Sequence, residues 1–135
     1  MIHQFQGQYR FLSNFHPVEV HYAGHPFPSV ENAYQYSKSR LHLGEFQCAT
    51  AGQARRMGRR FPLRADFESE KLDTMYALVL EKFTRHHELA VRLKATGDSV
   101  LVEGNTWGDR FWGICNGTGE NHLGRILMQV RRQLG

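Results

Sequence analysis

The chain reads as an α+β domain, rich in helix and with only a few short strands. Three observations carry that reading. Apolar residues recur at helical spacing in several segments between residues 30 and 134. Period-two alternation is confined to short stretches, Val18, Val20 and Tyr22 above all. At 135 residues, with 41% hydrophobic and 22% charged residues, the composition is that of a globule with a real core. One domain spanning residues 1–135 is the expectation.

The first 28 residues read as short strands and turns. Val18 to Tyr22 is a half-buried strand, Ala23-Gly24-His25-Pro26 supplies turn residues, and Phe27 begins a returning strand. Asn14, inside FLSNF, suits an Asx-turn or a ligand contact. Ser29 then caps a helix over VENAYQYSKSRL, whose mostly apolar face is Val30, Ala33, Tyr34, Ser37 and Leu41. Glu31, Gln35 and Lys38 form a polar stripe beside that face. It reads first as a solvated flank with an ordinary Glu/Lys pair and second as the rim of a pocket.

Residues 44–60 read as one arginine-rich helix ending near Gly58. Asp66 or Ser69 caps the next helix, which carries a core stripe of Leu72, Met75, Tyr76, Val79 and Phe83. His86 to Lys94 reads as a shorter helix, stopped by Thr96-Gly97-Asp98, and SVLVE as a strand. The final helix begins near Glu120 or Asn121, with Leu123, Ile126, Leu127, Val130 and Leu134 facing inward. GTGEN ahead of it resembles a phosphate-cradling loop, although the GxGxxG spacing fails at His122.

Between strand and final helix, LVEGNTWGDRFWGICNGTGEN sets Glu103 and Asp109 with Trp107 and Trp112 among five glycines. Indoles and carboxylates on a glycine-rich loop suit a pocket for a planar, polar ligand, and equally suit core tryptophans with turn-capping acids. The net charge of +4 and the runs QARRMGRRFPLR and QVRRQL are a mild basic bias. It draws phosphorylated small molecules as readily as a polynucleotide. Cys48 and Cys115 are too few for a disulfide framework, and no HExxH or Cys/His spacing signals a metal. The N-terminal residues lack a signal-peptide pattern, and no apolar run reaches the roughly 18 residues of a membrane span. A reduced cytoplasmic setting, without metal or cofactor, is expected.

Seven motifs in order, RFLSNF, PSVENAYQYSK, GRR, the KF of EKFTRHHEL, ATGDSVLVEGN, WGDRFWGI and GENHLGRILMQVR, resemble the YbiA-like, or NADAR, superfamily. The resemblance runs from about Phe5 to Leu134. It implies a helix-rich α+β fold and N-glycosidase activity on a ribosylated base. The substrate it implies is a phosphorylated ribosylaminopyrimidine of riboflavin synthesis or ADP-ribosylated guanine in nucleic acid. Phe67 stands where the family has tryptophan, and Cys115 where glycine often follows WGI. A non-catalytic ADP-ribose or nucleotide-binding module, or a nucleic-acid reader, remains the alternative.

Cleaving an N-glycosidic bond builds positive charge on the sugar, which a carboxylate stabilises while it or a second carboxylate activates water. Asp109 is the first candidate, then Glu31, with Glu103 third as a catalytic or loop-orienting acid. Trp107 or Trp112 would stack on the base or ribose. Lys38 and Arg59 would meet phosphate or the leaving group, and Asn14 and Asn121 ribose hydroxyls or phosphate. Gly113 completes the expected substrate-binding set.

Overall fold

The computed structural model describes all residues, 1–135. Six α-helices, one 3-10 helix and four short strands give the helix-rich α+β architecture expected. The chain divides into two compact units, residues 14–85 and residues 1–13 with 86–135.

In the 14–85 unit, β1 (Val20–Tyr22) and β2 (His25–Phe27) form the expected antiparallel hairpin, with Val20 opposite Phe27 and Tyr22 opposite His25. Ala23 and Gly24 both take positive φ (52° and 81°) at the turn, the geometry that matches the twist of a two-residue hairpin. Helix α1 (Val30–Ser37) starts where the sequence places it, with Ser29 Oγ accepting from the Asn32 amide at 3.1 Å. It is the central element of this unit: all eight residues are buried, and α2, α3, α4 and the hairpin pack on it.

That environment corrects the solvated-flank reading of the polar stripe, because Glu31 and Gln35 are only 8% and 5% exposed. Helix α1 also stops earlier than the pattern suggests. Lys38 is its C-cap, Arg40 turns left-handed (φ 57°), and Leu41 lies 51% exposed instead of joining the apolar face.

Residues 44–60 are two helices, α2 (Leu43–Cys48) and α3 (Ala51–Gly58). Thr50 accounts for the break. Its side chain accepts from Gln53 N while the Gln53 side-chain oxygen accepts from the Thr50 amide, a capping box that starts a new helix. Asn32, fully buried on α1, donates to the carbonyls of Phe46 (2.8 Å) and Ala49 (2.9 Å) and so closes the end of α2. Helix α4 (Phe67–Arg85) buries Met75, Val79 and Phe83 as expected, whereas Leu72 is exposed. Phe67 is buried against the Tyr34 ring, 5.7 Å between centroids.

In the other unit the SVLVE strand is reduced to a single parallel bridge, Leu101 to Ile2. Ile2 N donates to Val100 O and Val102 N to Ile2 O, both at 2.9 Å, so the N-terminus supplies the pairing. The loop that follows holds two short parallel strands, β3 (Gly104–Asn105) and β4 (Ile114–Cys115). Helix α5 (His87–Lys94) packs on α6 (His122–Leu134), whose Leu123, Ile126, Leu127 and Val130 are buried as the spacing predicts.

Candidate functional site

In the 14–85 unit the site is built on the N-terminal half of α1. The Asn14 carbonyl accepts the Glu31 amide at 3.0 Å, and Asn14 Nδ2 reaches the Met75 sulfur at 3.5 Å. The chain before the hairpin therefore lies over the first turn of the helix. Glu31 Oε2 accepts from Gln35 Nε2 at 2.7 Å, a buried i,i+4 pair that fixes the carboxylate. One turn on, Lys38 stands with its ammonium 5.5 Å from the centre of the Tyr34 ring. Its pKa is lowered, first by burial and then by Arg59 and Arg55, while Glu31 opposes the shift. The structure thus brings Glu31 and Arg59 within electrostatic reach of Lys38, while Asn14 meets Glu31 through its backbone and turns its side chain to Met75.

Two further residues shape this region: Gln35, which the sequence offers only as a member of the polar stripe, and Gly58, to which it gives no site role. Gln35 positions Glu31, and its Oε1 is buried without a hydrogen-bond partner. Gly58 explains that orphan: a Cβ there would lie 1.9 Å from Gln35 Oε1, so the glycine Cα–H faces the amide oxygen. A glycine near a helix end reads as a stop signal in sequence, which hides its packing role. Lys82 likewise has no site role in the sequence. It is 1% exposed within the α4 core stripe, and burial lowers its pKa to about 7.

The Glu103 to Asn121 loop, in the other unit, is held by its own side chains. Asn105 is its hub. Its Nδ2 donates to Asp109 O (2.8 Å) and Glu103 Oε2 (3.1 Å), and its Oδ1 accepts from Asp109 N (3.0 Å). Asp109 Oδ1 accepts from the amides of Phe111 (3.1 Å) and Trp112 (2.9 Å). Gly113 is required by close approach, since a Cβ there would meet Glu103 Oε2 at 1.8 Å and Glu103 O at 2.1 Å. Trp112 packs edge-on against Phe111 and His122, whereas Trp107 is 52% exposed. Asn121 is buried and left-handed (φ 55°). Its Oδ1 accepts from Glu103 N and its Nδ2 donates to Leu101 O, both at 3.0 Å.

The GTGEN loop does not act as a free amide cradle. The amides of Glu120, Asn121, His122 and Leu123 donate to the carbonyls of Arg110, Gly113, Phe111 and Trp112. Those donors, which an anion at the α6 N-terminus would need, are consumed by the loop itself. No three His, Cys, Asp or Glu side chains are grouped to hold a metal ion, and no helix is long and apolar enough to cross a membrane.

The fold and the buried Glu31–Gln35 pair beside Lys38 mark a helix-rich α+β domain with a polar candidate site on its first helix. The comparisons place it more closely. The NADAR domain model matches residues 2–135, and the chain belongs to that family. It is 37% identical over 132 residues to the N-glycosidase YbiA of Shigella flexneri, covering 93% of this chain and 82% of the relative. A riboflavin biosynthesis protein of Vibrio vulnificus is 39% identical over 130 residues, and a chloroplastic one of Zea mays 37% over 123. These alignments cover 92% and 87% of this chain, which spans only 35% and 19% of those longer proteins. The NMR structure of Escherichia coli YbiA superposes with a TM-score of 0.85 at 33% identity, covering 98% of this chain and 82% of that one.

Proposed function

We propose that this chain is an N-glycosidase that hydrolyses the ribosyl C–N bond of a phosphorylated, ribosylated base. The observation that carries it is the Glu31 carboxylate, buried, fixed by Gln35, and set on the same helix as Lys38 with Arg59 and Arg55 in electrostatic reach. In such a site the C1′–N bond breaks with its electron pair passing to the base nitrogen. Water adds its oxygen to C1′, its proton passes to a carboxylate, and the leaving base takes up a proton. Glu31 stabilises the oxocarbenium-like carbon, because a fixed charge in a water-poor site acts strongly there. Lys38 and Arg59 take phosphate, and Asn14 takes ribose hydroxyls.

Asp109, on the glycine-rich loop of the other unit, is the rival candidate for that carboxylate, Glu103 the next, and Trp112 or Trp107 are the candidate stacking rings. Asn121 and Gly113 hold the loop that carries them. Of the two substrates, the riboflavin-pathway ribosylaminopyrimidine is preferred, because relatives named for riboflavin biosynthesis align over nearly the whole chain. The setting proposed is cytoplasmic.

The test is incubation with a ribosylaminopyrimidine phosphate and, separately, with guanine-ADP-ribosylated DNA, following released base or ADP-ribose by mass spectrometry. Glu31→Gln is expected to reduce turnover at least about 100-fold, the usual contribution of a positioned acid or base. Release from neither substrate, with ADP-ribose still bound, would make the chain a binding module instead.

A further inference from the structure

Residues 38–64 hold seven of the chain's 17 Lys and Arg but one of its 13 Asp and Glu, a net +6, while the remainder of the chain is net −2. The basic character of the protein is therefore local. Four of the seven are Arg55, Arg56, Arg59 and Arg60, at i, i+1, i+4 and i+5, which places them on one side of α3 and its C-terminal extension. Arg56, Arg59 and Arg60 are exposed, and none has an acidic partner.

Directly after Arg60 stands an open aromatic pair. The rings of Phe61 and His42 are stacked, 4.2 Å between centroids and 17° from parallel. His42 is exposed, and Leu41 and Leu63 beside the pair are 51% and 49% exposed. The pair is fixed in place. Glu45 Oε2 meets His42 Nδ1 at 2.7 Å, and Phe46 packs edge-on against Phe61. Arg40 and His42 both take left-handed backbone (φ 57° and 61°), a conformation costly for residues with a Cβ. The single acid of the segment is thus spent on orienting the imidazole, which leaves ring faces and guanidinium donors exposed.

We propose that this face is a docking surface for a single-stranded polynucleotide, with Arg56 and Arg60 on phosphates and a base stacked on the His42–Phe61 pair. Unpaired cations answer a repeating phosphate charge, and a preformed ring stack answers an unpaired base. A duplex offers the same charge but no free base face. The inference does not depend on the N-glycosidase reading, because it concerns affinity for an unmodified strand.

The probe is a fluorescein-labelled oligothymidylate 20-mer, read by anisotropy from 50 to 300 mM salt, with duplex DNA of equal length and heparin as competitors. Arg56→Gln/Arg60→Gln is expected to weaken binding and to lower the salt slope by about 1.4, two phosphate contacts at about 0.7 each for a single strand. His42→Asn, which tolerates left-handed backbone, is expected to weaken binding about 5- to 100-fold at unchanged slope, the loss of one stacked base. Circular dichroism checks the fold of each variant. Saturable single-strand binding with both variant effects supports the surface. Absence of binding at 50 mM salt, equal competition by duplex, or an unchanged His42→Asn would each overturn it.

Discussion

Replacing Lys82 by methionine tests whether the core of the 14–85 unit carries an amine instead of an ammonium. Lys82 is 1% exposed on α4, and burial lowers its pKa from 10.5 to about 7. At one pKa unit per 1.36 kcal/mol, that shift corresponds to roughly 5 kcal/mol opposing the charged form in the folded state. The sign follows from proton counts. Between pH about 7 and 10.5 the unfolded chain holds a proton on Lys82 that the folded chain lacks. Stability from this group therefore rises with pH across that window, by about 1.4 kcal/mol per unit, and is flat below it. The assay is urea unfolding of wild type and Lys82→Met at pH 7.5, 8.5 and 9.5, where titrations common to both cancel in the difference. The stability advantage of the variant over wild type is expected to shrink by about 3 kcal/mol from pH 7.5 to 9.5. A difference constant over those three pH values would show that Lys82 keeps its proton, and would refute the reasoning.

Gly58→Ala should be destabilising by about 1–3 kcal/mol, because its Cβ would fall 1.9 Å from Gln35 Oε1. Without that contact the change would favour a helix, so the direction of the thermal shift decides the point. The same variant should lower kcat by displacing Gln35 from Glu31, read in the release assay. Asn105→Ala removes the hub of the Glu103 to Asn121 loop and should cost about 1–3 kcal/mol in urea unfolding, through the Asp109 amide and carbonyl it leaves unpaired. Thr50→Ala should cost about 0.5–2 kcal/mol by removing the capping box that separates α2 from α3. A change under a few tenths of a kcal/mol would mean that Asn32 alone holds that break.

What was legible in the sequence is what rests on local physics. Ser29 caps α1, the 20–27 hairpin forms around Ala23-Gly24, and α6 buries the face its spacing predicts. These depend on residues within a turn of one another. The misreadings share the opposite property. Glu31 and Gln35 look solvated because i,i+4 polar pairs normally are, yet α1 is enclosed by elements far along the chain. The α2–α3 break combines a local capping box at Thr50 with Asn32, which lies 14 and 17 residues from the carbonyls it holds. SVLVE lacks a strand partner nearby and finds only Ile2 at the other end of the sequence. The site followed the same rule: residue types were legible, but the donors that orient them were not.

That distinction bears on which carboxylate acts. Asp109 was the first candidate because it lies among tryptophans and glycines. Its Oδ1, however, already accepts two backbone amides, which is how an aspartate closes a turn. Glu31 Oε2 accepts from the Gln35 side chain, and the carboxylate closes no turn, although in the first turn of α1 it complements the helix N-terminus. A residue whose hydrogen bonds close a turn loses chiefly stability when replaced, whereas a carboxylate held for chemistry loses chiefly turnover. Asp109→Asn keeps Oδ1 as an acceptor, so it should leave the loop intact and isolate the effect of the charge. If Asp109→Asn retains most of the turnover while Glu31→Gln does not, the catalytic carboxylate is the one on α1. If the losses are reversed, Glu31 serves only to hold the phosphate-binding cations in place, and the glycine-rich loop carries the chemistry.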